Sequence, residues 1–229
     1  MVRRSGDLVK KWPLPVLGLF IAACGANDSV IPSDPTGPMT FFVTSAKSTT
    51  GNVGGLRGAD AICQQLAAGA GAGGRSWRAY LSAEHDPANG GAPVDARSRI
   101  GIGPWRNANG VLVARNISEL HSRTGDASIF VDETGRRING QWPGSPAPVE
   151  HDILTGSNAD GTLIPGKTCA DWTSQSAAIS ARVGHADGLG PGGSTAGSLS
   201  SWNSAHDNQS CANTAPGGGA GRLYCFARN

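Results

Sequence analysis

The chain has 229 residues, 34 of them glycine, with few aromatics (6%) and few charged side chains (16%). Four of its 19 basic residues and one of its 17 acidic residues fall in the first 23, so the rest carries 15 against 16 and is close to neutral. That balance excludes a nucleic-acid binder or a partner for anionic lipid, and the glycine content argues for tight turns and long ordered loops over a helical bundle.

At the N-terminus Arg3, Arg4, Lys10 and Lys11 precede the apolar run Val16–Ala23, the layout of a secretory signal. The run is far shorter than the ~20 residues that cross a bilayer. It ends in Ile21-Ala22-Ala23-Cys24-Gly25, the pattern of a bacterial lipobox. Residues 1–23 are therefore expected to be a lipoprotein signal peptide and Cys24 the lipidated residue. Residues 24–38, rich in Pro, Ser, Asp and Gly, read as a flexible tether. The expected location is the outer membrane, on the cell surface or its periplasmic face, with membrane contact through the lipid alone. Residues 39–229 are of a size for one domain.

Met39–Ser45 is β-prone and predicts the first strand. Ala59, Ile62, Cys63 and Leu66 recur at i, i+3, i+4 and i+7, so a helix over 59–68 buries Cys63. Trp77–Ser82 predicts the next strand, and residues 83–98 a loop. Asn109-Gly110 ahead of Val111-Leu112-Val113 is a hairpin signal. Asn116, with Glu119 three residues on, caps a short helix. Further strands are expected at 128–131, 152–157, 169–174, 177–183 and 222–227. The stretch 184–201 is too rich in Gly and Ser for regular structure and predicts a long functional loop.

Beyond Cys24, the chain has Cys63, Cys169, Cys211 and Cys225, an even number in an exported chain, with three possible pairings. Four of its five histidines have an aspartate one or two residues later: His85-Asp86, His151-Asp152, His185-x-Asp187 and His206-Asp207. Imidazole with carboxylate suits zinc or a similar divalent ion, and the loops could bring His151, His185, Asp187 and His206 together. Adjacent residues on a strand point to opposite faces, which argues against such pairs acting as joint ligands. Trp77 and Trp172, on predicted strands, are expected in the core. Trp142 and Trp202 lie beside Gly, Pro, Asn and Ser and are candidates for stacking on a sugar, with Asn203, His206 and Asp207 as hydrogen-bonding partners. There is no Gly-x-Ser-x-Gly elbow, no His-Glu-x-x-His and no phosphate loop, so no enzyme is expected.

Leu56-Arg57-Gly58-Ala59-Asp60-x-x-Cys63 followed by Trp77-Arg78-Ala79-Tyr80-Leu81-Ser82 resembles the opening helix and strand of the endostatin domain of collagens. Leu154-Thr155-Gly156-Ser157 with Cys169-Ala170-Asp171-Trp172, then Cys211 with Leu223-Tyr224-Cys225-Phe226, is similar to the later part of that domain. Over residues 40–229 the chain thus resembles the C-type lectin-like superfamily and its endostatin-like bacterial lipoproteins. Trp202-Asn203-Ser204 resembles the Trp-Asn-Asp motif of calcium-dependent lectins, with Ser204 in place of the aspartate.

The resemblance implies an α+β domain: a mixed, mostly antiparallel sheet whose terminal strands pair, two flanking helices and a long-loop region. It also implies the disulfides Cys63–Cys225 and Cys169–Cys211. The function implied is a lipid-anchored binding module for carbohydrate or an extracellular matrix protein, recognised through the loops and needing no cofactor. A metal-dependent surface hydrolase using the His/Asp loop residues, or a structural envelope protein, is the alternative.

Overall fold

The structure, a computed structural model, describes residues 1–2 and 38–228. The chain divides into two units, Met1–Ser33 and Asp34–Asn229, and the fold below is that of the second. The expected signal peptide beyond its first two residues, Cys24 and nearly all of the tether lie outside the described residues.

The elements follow as β1 (Phe41–Val43), α1 (Gly55–Gly69), β2 (Ser76–Ala79), β3 (Ala83–Asp86), β4 (Ala92–Val94), α2 (Ala96–Arg99), β5 (Trp105–Arg106), β6 (Leu112–Ala114), α3 (Ile117–His121), β7 (Asp152–Leu154), β8 (Arg182–His185), β9 (His206–Asp207) and β10 (Gly219–Arg228). The main sheet runs β1-β10-β7-β8-β9, with β2 also paired to β10; β3–β4 and β5–β6 are separate hairpins. β10 lies parallel to β7, and the other pairings are antiparallel. The protein is thus a mixed, mostly antiparallel α+β fold with two disulfides, Cys63–Cys225 and Cys169–Cys211.

Strand side chains alternate between faces, yet Phe41, Phe42 and Val43 are all buried, so the sheet is covered on both sides. One face packs Phe42, Trp77, Leu154, Val183 and Leu223 against Ala59 and Cys63 of α1. The other packs Phe41, Tyr80, Phe130, Ile153, Trp202 and Tyr224 beneath the loops. Those loops are long but held. Asn107, fully buried, accepts from the amides of Asn109 and Val111, and Asp132 does the same for Thr134 and Arg136.

Several sequence expectations change here. α1 begins at Gly55, four residues earlier than the apolar spacing indicates, because Gly54 takes a left-handed φ of 81° that starts the helix. The resemblance implies two flanking helices, whereas among the described residues only α1 exceeds five residues. Elsewhere Gly, Pro and Asn break the chain before a second amphipathic face can develop. The expected loop 83–98 holds a hairpin and a helical turn, with the Asp86 carboxylate receiving the Ala88 amide. The expected strand at 128–131 has only isolated bridges, because Asp126 draws Ser128, Ile129 and Phe130 into a turn.

The expected strand at 169–174 is a left-handed turn. Cys169, Ala170, Asp171 and Trp172 have φ of 49°, 49°, 54° and 66°. A non-glycine residue in this region is disfavoured by roughly 1–2 kcal/mol, so tertiary contacts must hold the turn. Cys169 is tied to Cys211, the Trp172 indole donates to the Ser82 carbonyl at 2.7 Å, and the Asp171 carboxylate accepts from the Glu84 and His85 amides.

Candidate functional site

Two polar constellations stand out. The first is a cleft of about 1170 Å³ between the start of α1, the β3–β4 hairpin and the left-handed turn. Asp60, on the inner side of α1, is its fixed point. The Arg99 guanidinium donates to both Asp60 oxygens at 2.9 and 2.8 Å, Arg78 donates at 2.7 Å and the Ala79 amide at 2.9 Å. Burial works against the charge on Arg99 and lowers its pKa, and Asp60 opposes the shift. Arg57 and Arg228 line the same cleft, both exposed and without an ion-pair partner among the described residues. The Asp171 carboxylate on the opposite lining is taken up by backbone amides and by His85 Nδ1 at 3.2 Å.

The second constellation lies at the β7–β8–β9 end of the sheet. Asp152 of β7 is the cross-strand partner of His185 on β8, so both project from one face. His206 on β9 pairs with Val183, two residues from His185 and therefore on that same face. His151 lies just before β7, beside a register shift between Gly219 and Arg222 of β10. There the strand rule that separates neighbouring side chains no longer applies. Gly218, at a φ of 117°, makes room for the ring: a Cβ on it would stand 3.2 Å from His151 Nε2.

The three Nε2 atoms converge on one carboxylate oxygen, Asp152 Oδ1, at 3.4 Å (His151), 3.3 Å (His185) and 3.6 Å (His206). The rings of His151 and His185 stack with centroids 4.3 Å apart, and the His206 ring meets His185 edge-on at 4.9 Å. Each Nδ1 has its own acceptor. His151 Nδ1 donates to Asp187 Oδ1 at 2.7 Å, His185 Nδ1 to the Leu199 carbonyl at 2.8 Å and His206 Nδ1 to the Asp207 carbonyl at 2.9 Å. In the neutral rings that fixes the proton on Nδ1 and leaves Nε2, on the Asp152 side, unprotonated. Burial, reinforced by His151, pushes the His185 imidazole down, while Asp152 draws His206 up. Burial works to raise Asp187, but the bonds from His151, Gln141 and Leu189 outweigh it and hold the carboxyl below its usual range.

Of the four residues expected to share a metal, His151 and His185 come together with donor atoms within 4.8 Å of each other, and His206 stands at the edge of that group. Asp187 instead sits behind His151 as its hydrogen-bond acceptor, and Asp152 holds the central place. The sequence contained a signal for this, since Asp152 directly follows His151; strand alternation was the reason to set it aside.

The expected sugar-stacking residues fare differently. Trp202 is fully buried among Tyr80, Phe130 and Tyr224, and its indole donates to the Leu120 carbonyl at 3.0 Å, so it is a core residue and no ligand reaches its ring. Asn203 is buried as well, its amide spent on Tyr80 and on the carbonyls of Asn158 and Ala159. The apolar lining of the loop face draws Trp202 inward, which flanking Gly and Ser residues could not reveal. Trp142 is half-buried, with Arg137 set over its ring at 5.3 Å. Asp207 is paired with Lys167 at 2.8 Å and Arg182 at 3.3 Å. Trp77 and Trp172 lie in the core.

Gly184 couples the cluster to Trp202, since a Cβ on it would collide with the Trp202 carbonyl. Gly184→Ala is expected to lower stability by roughly 1–3 kcal/mol through this overpacking, read as a shift in the urea midpoint.

Residues 46–188 match the family described as a protein of unknown function (DUF1554), and the chain belongs to that family. The matched segment contains Asp60, His151, Asp152, His185 and Asp187; His206, Cys211 and Cys225 lie beyond it. No curated protein matches the sequence. Among the described residues no helix is long and apolar enough to cross a membrane. Two disulfides mark a chain that matures in an oxidising, exported setting.

Proposed function

We propose that the protein is a non-enzymatic, exported binding module of C-type lectin-like architecture, held at the membrane by lipidated Cys24, whose cleft beside α1 takes an acidic carbohydrate. The observation that carries this reading is the presence of Arg57 and Arg228 in one cleft without ion-pair partners among the described residues. Around them the Arg78 guanidinium, the Asn89 amide and the Asp86 carboxylate offer the mixed donors and acceptors that suit hydroxyls, while Leu56, Pro87 and Val94 add apolar surface. The guanidinium fork matches carboxylate and sulfate geometry. Asp60 and Asp171 are already engaged by arginines and backbone amides, so the cleft is arranged for holding a ligand rather than for proton transfer.

A panel of uronic-acid, sulfated and neutral glycans tests the reading. Binding is expected for the acidic members, weakening with salt. Arg57→Gln with Arg228→Gln together should weaken it by roughly tenfold or more. Equal binding of neutral and acidic glycans, or binding indifferent to the double substitution, would overturn the assignment. Retention of a carboxylate-rich extracellular protein but of no glycan would move it from carbohydrate to protein.

A further inference from the structure

Asp152 is buried, and neither of its carboxylate oxygens has a hydrogen-bond partner among the described residues. Burying a carboxylate in that condition is strongly unfavourable. A hydrogen bond to the carboxylate would relieve it by closing to about 2.7–2.9 Å, as the bond from His151 Nδ1 to Asp187 does at 2.7 Å in the same cluster. The three Nε2 atoms do not close on Asp152. They stand off at 3.3, 3.4 and 3.6 Å, too far for good hydrogen bonds. The donor atoms of His151, Asp152 and His185 lie within 4.8 Å of one another, and His206 stands outside that group with its Nε2 3.6 Å from Asp152 Oδ1. Metal–ligand bonds of about 2.0–2.1 Å directed to the corners of a tetrahedron hold neighbouring donor atoms about 3.3–3.4 Å apart.

We propose that His151, Asp152 and His185 bind a single zinc ion and that His206 turns inward to complete a closed, four-coordinate site. Three imidazole nitrogens and one carboxylate oxygen suit zinc and not calcium or magnesium, which take oxygen ligands. The surroundings are those of a built site. All three Nδ1 atoms are tied to acceptors, which orients each ring, and the acceptor for His151 is the Asp187 carboxylate. His185 Nε2, also buried, has no hydrogen-bond partner among the described residues and lies 3.3 Å from Asp152 Oδ1. Asp152, His151 and His185 are almost wholly enclosed, while the His206 side chain is 34% exposed and stands at the entrance.

With His206 turned in, four protein donors complete a tetrahedron, whereas a hydrolytic zinc keeps one position for water. The ion therefore serves as a brace. It would join β7, β8 and β9 and hold the returning end of the 186–205 loop. This inference is independent of the arginine cleft, and neither depends on the other.

The test uses purified, tag-free, oxidised full-length protein, stripped with a chelator and reloaded with zinc or cobalt(II). One equivalent of zinc should remain through dialysis, and the cobalt form should show the intense visible bands of a tetrahedral centre. His206→Gln, at the exposed corner, should leave the circular-dichroism spectrum unchanged and weaken zinc binding at least tenfold. Asp152→Asn should do the same while keeping the shape of the side chain. Wild-type protein that is folded and disulfide-intact yet retains no more zinc than His206→Gln would overturn the proposal. So would a six-coordinate cobalt spectrum, or one equivalent of zinc held equally by wild type and both variants.

Discussion

Replacing Cys63 and Cys225 together by alanine is expected to lower the unfolding free energy by about 5 kcal/mol, the chain-entropy value for a closed loop of this length and an upper figure. The loop spans 162 residues, nearly the whole domain. The cross-link joins the buried face of α1 to the middle of β10, the strand around which β1, β2 and β7 assemble. Without it the unfolded chain regains most of its freedom, and the packing of Leu56, Ala59 and Ala67 in the cluster with Phe42, Trp77 and Leu223 must hold the helix alone. Removing Cys169–Cys211, which closes 42 residues, is expected to cost about 4 kcal/mol by the same estimate. That bond also restrains the left-handed turn, so its loss should loosen the lip of the arginine cleft. Domains of this size are stable by roughly 5–15 kcal/mol, and full reduction should leave the protein unfolded or nearly so. Urea titrations of the two double variants and of reduced protein measure this. A Cys63/Cys225 double variant with the wild-type midpoint would show that the cross-link adds nothing to stability.

Asp60→Ala is expected to be the most damaging single substitution among the charged residues, at about 3–5 kcal/mol, the range for breaking a buried ion pair from one side. Arg99, with a side chain 9% exposed, would keep its charge and lose both bonds to the carboxylate. The Ala79 amide, at the end of β2, would lose its acceptor. Arg78 is more exposed, so its share is smaller. Asp60→Asn keeps an acceptor for the amide and should fall between wild type and alanine, and the order of the three urea midpoints checks the argument. Because Asp60 also anchors the cleft, Asp60→Ala should reduce glycan binding even where the protein remains folded.

Much of the fold was legible locally. The apolar spacing around Cys63 placed it on the buried side of a helix. Asn116 caps α3 by accepting from the Glu119 amide at 2.9 Å, as the Asn-x-x-Glu pattern indicates. The β-prone run after Met39 became β1, and Trp77 and Trp172 went to the core. Such signals depend on residues within a few positions of one another. The cysteine count left three pairings open, and the resemblance to endostatin-like domains, not the count, selected the pairing present in the structure.

What the sequence by itself determined is therefore the exported, disulfide-bearing character of the chain, its glycine-rich loops, its main helix and the residue types available for metal or ligand. The tertiary structure alone decided which of them meet. Strand pairing across more than thirty residues sets Asp152 opposite His185, and a second pairing brings His206 to the same face. An irregularity in the β7–β10 register lets His151 join them, against the alternation that its sequence position suggests. The second apolar face of the sheet drew Trp202 inside, although its neighbours are those of a surface loop. Disulfide, carboxylate and indole contacts impose a left-handed turn on Cys169–Trp172, whose residues do not favour one. Each of these outcomes rests on contacts between segments distant in the chain, where the free energy of packing exceeds the preference of the local sequence.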